Sequence, residues 1–459
     1  MSARSGRQRI LAALVFAGSQ LATACATAPR ADSRDPIGLT EQGQADLLAN
    51  KPAVALESFE AALHADHKRL AAVRGRIEAA RRLGRLSQIA SAAELQAAQD
   101  PNDGIAWYTL GLCRFAAGDQ AGAVAALGRA VETLQDTLGQ ADAQYRLGIA
   151  LFNDEKFALA RGPLERAVAL NPKSARYRVP LASCVDRLGD RKAAIALLAP
   201  IPELSPTPEE AKLAMQTSRV LTEPFRGVPQ ESRAQLEQAL GYLLRDAPGL
   251  AVAPLEALLE KLPDLGAAHA LLGLAAQRLD EAGRAMTELK RAAELSPEAP
   301  QPHVYLAEFY AGHARPELAL EEYNAALARD PLDVATLRKL AMLELERPTG
   351  APAAVVSLRK AVALTPDDDA LGLLLARAEL SGVDAAAGQT RLEKLAQKRP
   401  DDAEVLLRLA MALLDARSQL QGDARTEMTR RAVQLTQKVL TLQPDNAGAS
   451  RLLTALQKG

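Results

Sequence analysis

The sequence predicts an all-α chain built from stacked pairs of helices, and three features carry that expectation. The 459 residues are 48% hydrophobic but only 3% aromatic, with alanine and leucine dominant. That composition suits close helix–helix packing and suits a β-sandwich poorly. A leucine followed by a small residue recurs at Leu147, Leu181, Leu272, Leu306, Leu340, Leu375 and Leu409. A proline then follows at a fixed distance, as in Leu147 to Pro172, Leu272 to Pro297 and Leu306 to Pro331. Periods of this size are the signature of a repeat array.

The first 24 residues read as a signal peptide. Arg4, Arg7 and Arg9 form a basic start, and Ile10 to Ala17 is an apolar run too short to span a bilayer. Leu21-Ala22-Thr23-Ala24-Cys25 follows. The small residues before a cysteine resemble a bacterial lipoprotein signal, in which the thiol is acylated and becomes the mature N-terminus. The chain departs from that pattern at Ala22, where leucine is usual, and Ala22-Thr23-Ala24 equally reads as an ordinary cleavage site with a soluble product. By the lipoprotein resemblance, Ala26 implies the outer membrane. Residues 25–35 are then a tether. Charges interrupt every later apolar run, so no further transmembrane helix is expected.

Within a unit, each position has a physical reason. In the stretch ending at Pro172, Gly148 lets the first helix approach the second. Ala160 and Ala167 stand two turns apart on one face of the second helix, with Leu164 between them. The proline cannot continue a helical hydrogen-bond ladder and so separates one unit from the next. Asn171 and Ser296 stand where helix termini need capping. The order recurs as Gly273, Ala285, Leu289, Ala292 and as Ala307, Ala319, Tyr323, Ala326. Trp107, Leu110, Gly111, Gly118, Ala123, Leu127 and Ala130 match it too, without a closing proline.

This pattern resembles the tetratricopeptide repeat family over about 36–459, in roughly eleven units. The resemblance implies a right-handed α-α superhelical solenoid whose first helices line an inner groove for extended or helical peptides. The register predicts an N-terminal array over 36–200 and a C-terminal array over 231–459. Between them, Pro200, Pro202, Pro206, Pro208, Pro224 and Pro229 mark 201–230 as an irregular joint, with one helix near Glu209–Leu221. The last unit is longer than the others, from Pro400 to Pro444, which implies lengthened helices around Gln419–Thr429. Residues after Asn446 read as a capping helix over the last apolar face.

Nothing in the sequence carries catalysis. Metalloprotease, nucleophile-elbow, phosphate-loop and dinucleotide motifs are absent, so the chain reads as no enzyme, without cofactor or small-molecule substrate. His269 and His303 occupy the same slot in adjacent units, where a packing role outweighs a metal role. His64 and His67 lack a third ligand. Asp367, Asp368, Asp369, Asp401 and Asp402 follow repeat-closing prolines and suit helix starts. Of the three cysteines, Cys113 and Cys184 lie on first helices two units apart and are expected as buried free thiols. A formal net charge of −1 gives no reason to expect nucleic acid. The basic run Lys68, Arg69, Arg74, Arg76, Arg81, Arg82 and Arg85 reads first as a solvated face and second as a contact for anionic lipid or an acidic partner.

The candidate partner site is a second apolar stripe on two first helices. Tyr108, Leu112 and Phe115 stand at i, i+4 and i+7, and Tyr145, Ile149 and Phe152 repeat the spacing. The family resemblance turns this stripe toward the groove, where aromatic anchors carry binding energy; packing against neighbouring first helices is the competing reading. Val304, Glu308 and Ala311, then Arg338, Met342 and Leu345, give the later units a more mixed face. The expected function is a protein-binding scaffold on the periplasmic face of the outer membrane, anchored through Cys25 and assisting an envelope assembly or export machine. A soluble periplasmic adaptor or chaperone, and an accessory subunit of a cell-wall or polysaccharide enzyme, are the alternatives.

Overall fold

Aspartates cap a number of the helix starts in this chain. The computed structural model describes residues 35–417 and 421–458. Asp35 accepts from the amides of Ile37 and Gly38, and Asp103 from those of Ile105 and Ala106. Asp119, Asp190, Asp368 and Asp402 do the same at other helix starts. Of the acidic residues after the prolines, Asp368 and Asp402 are thus caps, satisfying amides that a helix leaves unpaired, while Asp369 and Asp401 pair with Lys398 and Lys438.

The N-terminal unit holds five antiparallel helix pairs among the described residues: α1 (Pro36–Leu48) with α2 (Pro52–Ala65), α3 (Leu70–Arg82) with α4 (Leu86–Gln99), α5 (Gly104–Ala116) with α6 (Gln120–Thr133), α7 (Thr137–Asn153) with α8 (Phe157–Leu170), and α9 (Ala175–Arg187) with α10 (Arg191–Leu198). A short 3₁₀ turn at Ile201–Leu204 leads to the single helix α11 (Pro208–Leu221). The chain divides into two units between Thr217 and Ser218, inside α11.

The C-terminal unit continues with six pairs: α12 (Gln230–Leu244) and α13 (Pro248–Lys261), α14 (Gly266–Arg278) and α15 (Ala282–Leu295), α16 (Gln301–Gly312) and α17 (Pro316–Arg329), α18 (Val334–Leu345) and α19 (Ala351–Leu364), α20 (Asp369–Ala378) and α21 (Ala385–Lys398), α22 (Ala403–Arg417) and α23 (Gly422–Leu442). The long α23 accounts for the lengthened last unit, and α24 (Ala447–Lys458) follows it. Among the described residues there is no strand, and no helix is long and apolar enough to cross a membrane. The chain is an all-α helical-repeat solenoid.

Small residues on the first helices meet large ones on the second. A methyl group on Gly111 would lie 2.6 Å from Leu127 Cγ, and one on Gly148 would lie 2.5 Å from Leu164 Cγ. Gly273 has the same relation to Leu289, at 2.7 Å. Ala123, Leu127, Ala130, Ala160, Leu164 and Ala167 are buried around these contacts. Pro163, Pro180 and Pro254 depart from the expectation that proline ends a helix, since each lies inside one. All three stand in the second turn, where a missing amide removes one bond at the frayed end of the ladder.

The opening residue of several first helices has a polar duty as well as a packing one. The Trp107 indole donates to Pro101 O at 3.0 Å, Arg178 Nη2 donates to Pro172 O at 3.1 Å, and His269 Nε2 lies 2.8 Å from Pro263 O. Each ties a helix to the proline loop before it. Glu288 and Glu322 hold Nδ1 of His269 and His303 at 2.6 and 2.7 Å. In the His303 unit, Arg329 takes the Pro297 carbonyl instead, and His303 Nε2 is left without a partner.

The later part of the irregular proline-rich joint, from Ser218 on, packs within the C-terminal unit. The Ser218 and Thr222 hydroxyls donate to the Asp330 carboxylate at 2.6 and 3.0 Å, and Gln301 Nε2 donates to Thr222 O at 3.0 Å. Phe225 packs with Leu236, Leu271 and Leu274. Burial raises the Asp330 pKa.

Candidate functional site

The expected groove residues stand on α5 and α7, but they do not form an open lining. Tyr108, Tyr145 and Ile149 are fully buried, and Leu112 and Phe152 nearly so. Only Phe115 is partly accessible. The recess bounded by Leu112, Phe115, Leu127, Arg146 and Ile149 has no room for a water molecule. Phe115 apart, these side chains therefore offer no open surface to a partner. Cys25 lies outside the described residues. Cys113 and Cys184 are buried free thiols, each pushed up to about 11 by burial.

What covers the tyrosines is a cluster of charge. Arg74 on α3, Tyr108 on α5, Asp142 on α7 and Arg176 on α9 stand at successive 34-residue steps, so four consecutive first helices meet there. Arg146 joins from the next turn of α7. The Tyr108 hydroxyl donates to Asp142 Oδ2. Arg74 Nη1 lies 3.4 Å from that oxygen, and Arg146 Nε 3.5 Å from it. Arg176 Nη1 lies 3.5 Å from Oδ1. The Arg176 guanidinium lies over the Tyr145 ring, 4.6 Å from its centroid, and the Tyr177 ring lies 5.1 Å from Tyr145, tilted against it. Such a cation over an aromatic face is held in place by the ring quadrupole.

The electrostatics follow from that geometry. Burial alone would raise the Asp142 pKa, but the Arg74, Arg146 and Arg176 guanidiniums outweigh it and hold the carboxyl well below the usual carboxylate range. Burial and the Asp142 charge both push the Tyr108 hydroxyl up, so it stays a donor. Asp142 and Arg146 are 4% and 3% exposed, whereas Arg74 and Arg176 reach the surface with 24% and 12% of their side chains exposed. A buried carboxylate with two arginines in the C-terminal unit differs in kind. Glu379 pairs with Arg359 and Arg391 at 3.2 Å, but Arg359 is half exposed and has Asp384 as a second partner.

Arg69, Arg81 and Arg82 of the basic run are engaged locally. Glu78 binds Arg81 and Arg82, Arg82 also donates to Leu47 O, and Arg69 donates to Thr40 Oγ1 at 2.9 Å. On the later units, Glu308 pairs with Lys339, while Met342 is half exposed. No cluster of three metal-ligating side chains occurs among the described residues. Sequence reasoning passed over Asp142, Arg146 and Arg176, yet the 34-residue spacing of Arg74, Tyr108, Asp142 and Arg176 was there to be read.

Comparison with known proteins bears on the class. A family model described as a tetratricopeptide repeat matches residues 145–207, from α7 to the turn before α11. Another, described as a bacterial transcriptional activator domain, matches residues 44–148, from within α1 to within α7. No curated protein matches the sequence. Among solved structures, the APC/C hetero-tetramer Cut9–Hcn1 is 15% identical, covering 91% of this chain and 96% of that one, with a TM-score of 0.35. YrrB, titled a TPR protein with an unusual peptide-binding site, is 15% identical over 43% and 96%, with a TM-score of 0.38. Pseudomonas aeruginosa pilF is 19% identical over 49% and 97%, also at 0.38. The matched repeat and the helix pairs that continue its register define a helical-repeat protein. The tetratricopeptide repeat match itself extends over residues 145–207.

Proposed function

We propose that this protein is a protein-binding scaffold of the bacterial envelope, held by an acylated Cys25 on the periplasmic face of the outer membrane, where it assists an assembly or export machine. The observation that carries the binding role is the convergence of four first helices of the N-terminal unit on one preorganised polar cluster. A surface fixed before a partner arrives loses little entropy when it binds. The partner is read as protein rather than nucleic acid, because the net charge is −1 and much of the basic run is paired internally. The contact surface is the arginine cluster and Phe115, rather than the tyrosines beneath.

The anchor is supported by the sequence alone. Metabolic labelling with palmitate should mark the wild-type chain and leave Cys25→Ser unlabelled. Label retained by the variant removes Cys25 as the site of acylation. A chain without label that is released with the periplasm selects the soluble adaptor. Crosslinking in intact envelopes, with the captured proteins identified, tests the scaffold itself.

A further inference from the structure

We propose that residues 218–228 occupy, in cis, a recognition surface of the C-terminal unit, and that a second segment with the same hydroxyl, hydroxyl and aromatic pattern binds there only by displacing them. This surface owes nothing to an anchor at Cys25 or to the arginine cluster. Ser218, Thr222 and Phe225 stand at i, i+4 and i+7, along the last turn of α11 and the turn after it. All three are nearly inaccessible, at 1%, 3% and 6% exposed.

The segment reaches α12, α14, α16 and the turn before α18. Asp330, in that turn, accepts from the Ser218 and Thr222 hydroxyls at 2.6 and 3.0 Å. Gln301, at the start of α16, donates from Nε2 to Thr222 O at 3.0 Å. Phe225 lies with Leu271 and Leu274 of α14 and Leu236 of α12, and Val228 packs against the same cluster. None of this is the packing that joins repeat helices, where a small residue meets a leucine, as Gly273 meets Leu289. Hydroxyls on a carboxylate, an amide on a backbone carbonyl and one aromatic ring in an apolar seat are how a short segment is recognised.

The resident segment does not fill its seat. Pro224 and Phe225 border a cavity of about 40 Å³, shared with Ala267, Gln301 and Tyr305. Gln301 Oε1 is shielded from solvent and has no hydrogen-bond partner. Pro224, on the same cavity, has no amide hydrogen to give it. A buried acceptor without a donor is costly, so a segment with an amide at that place would hold both ends of the glutamine and fit better. The resident is favoured by its tether, which gives it an effective concentration on the order of millimolar.

The test uses the full-length chain and a fluorescein-labelled synthetic peptide of residues 214–229, followed by fluorescence anisotropy. The wild type should bind it weakly, because the resident competes. A chain carrying Ser218→Ala, Thr222→Ala and Phe225→Ala together should bind the unaltered peptide at least about tenfold more tightly. Peptides carrying Phe225→Ala, or Ser218→Ala with Thr222→Ala, should lose that binding. Equal affinity of the two chains for the unaltered peptide, or full binding by the altered peptides, overturns the inference. Should the triple variant fold poorly, hydrogen exchange on the wild type answers the same question. Excess unaltered peptide should hasten exchange at Thr222, Arg226 and Val228, whose amides are bonded to the Ser218, Glu223 and Phe225 carbonyls. The Phe225→Ala peptide should not. Exchange that the unaltered peptide leaves unmoved would make these residues a fixed part of the unit and would likewise overturn the inference.

Discussion

Asp142→Ala should destabilise the N-terminal unit by about 3–5 kcal/mol, the cost of leaving buried charges without their partner. The carboxylate is nearly inaccessible and is the shared acceptor for Arg74, Arg146, Arg176 and the Tyr108 hydroxyl. Removing it leaves three like charges together where water reaches them poorly. Trp107, the chain's single tryptophan, stands beside Tyr108 on α5 and reports this unit selectively in a urea titration. Far-ultraviolet circular dichroism reports both units. The expected result is a large fall in the midpoint of the Trp107 transition, with the C-terminal phase of the dichroism unmoved. Glu379→Ala should cost less, since Arg359 is half exposed and keeps Asp384. A Trp107 midpoint within experimental error of the wild type would show that water already solvates the cluster.

The same residue sets a pH dependence. The folded-state pKa of Asp142 is depressed below its unfolded value of about 3.9, so its contribution is present above that pH and disappears as the pH falls through the folded value. Asp330 runs the other way. Its folded pKa is raised by burial, so its contribution is complete below the unfolded value and is lost as the pH rises through the folded one. Acid should therefore weaken the Asp142 cluster of the N-terminal unit while favouring the Ser218–Thr222–Asp330 contact of the C-terminal unit.

The repeat was legible because its marks are local. A small residue, two alanines and a proline at fixed intervals report helix contacts within one unit, and the glycine–leucine pairs Gly111–Leu127 and Gly148–Leu164 stand where those intervals put them. The stripe of Tyr108, Leu112, Phe115, Tyr145, Ile149 and Phe152 was legible as a stripe but not as an open or closed one. Helical spacing fixes the direction of a side chain and says nothing about what lies over it. What covers the tyrosines comes from other helices: Arg74 reaches from α3 to α7, past α5, and Arg176 reaches back from α9. Contacts of that range leave a trace only as a charge alternation at the repeat period. The joint was half legible for a related reason. Its prolines mark irregular backbone, but the hold on Ser218 and Thr222 comes from Asp330, more than a hundred residues on.

Phe59→Ala should cost about 3–5 kcal/mol, at the upper end for a core truncation, because nothing nearby can fill the space. Phe59 is fully buried on α2, at the position that Leu127, Leu164 and Leu289 take in other units. Its ring lies against two glycines at once. A methyl group on Gly43 of α1 would come within 2.8 Å of it, and one on Gly75 of α3 within 2.3 Å. Leu127 and Leu164 are cradled by a glycine of their own pair, whereas Phe59 joins its pair to the next one. The neighbours are Ala55, Ala62, Ala72 and Ala79, with Leu39 and Leu56, and alanines have no rotamer with which to close a void. A double-mutant cycle gives this a sharp form. Gly75→Ala alone should cost about 1–3 kcal/mol by overpacking against a ring that cannot retreat. Placed on Phe59→Ala, the same change should cost little or become favourable, because its methyl group enters the vacated space. Equal costs in the two backgrounds would mean that ring and glycine are not in contact, and that the first two helix pairs are joined by something other than this wedge.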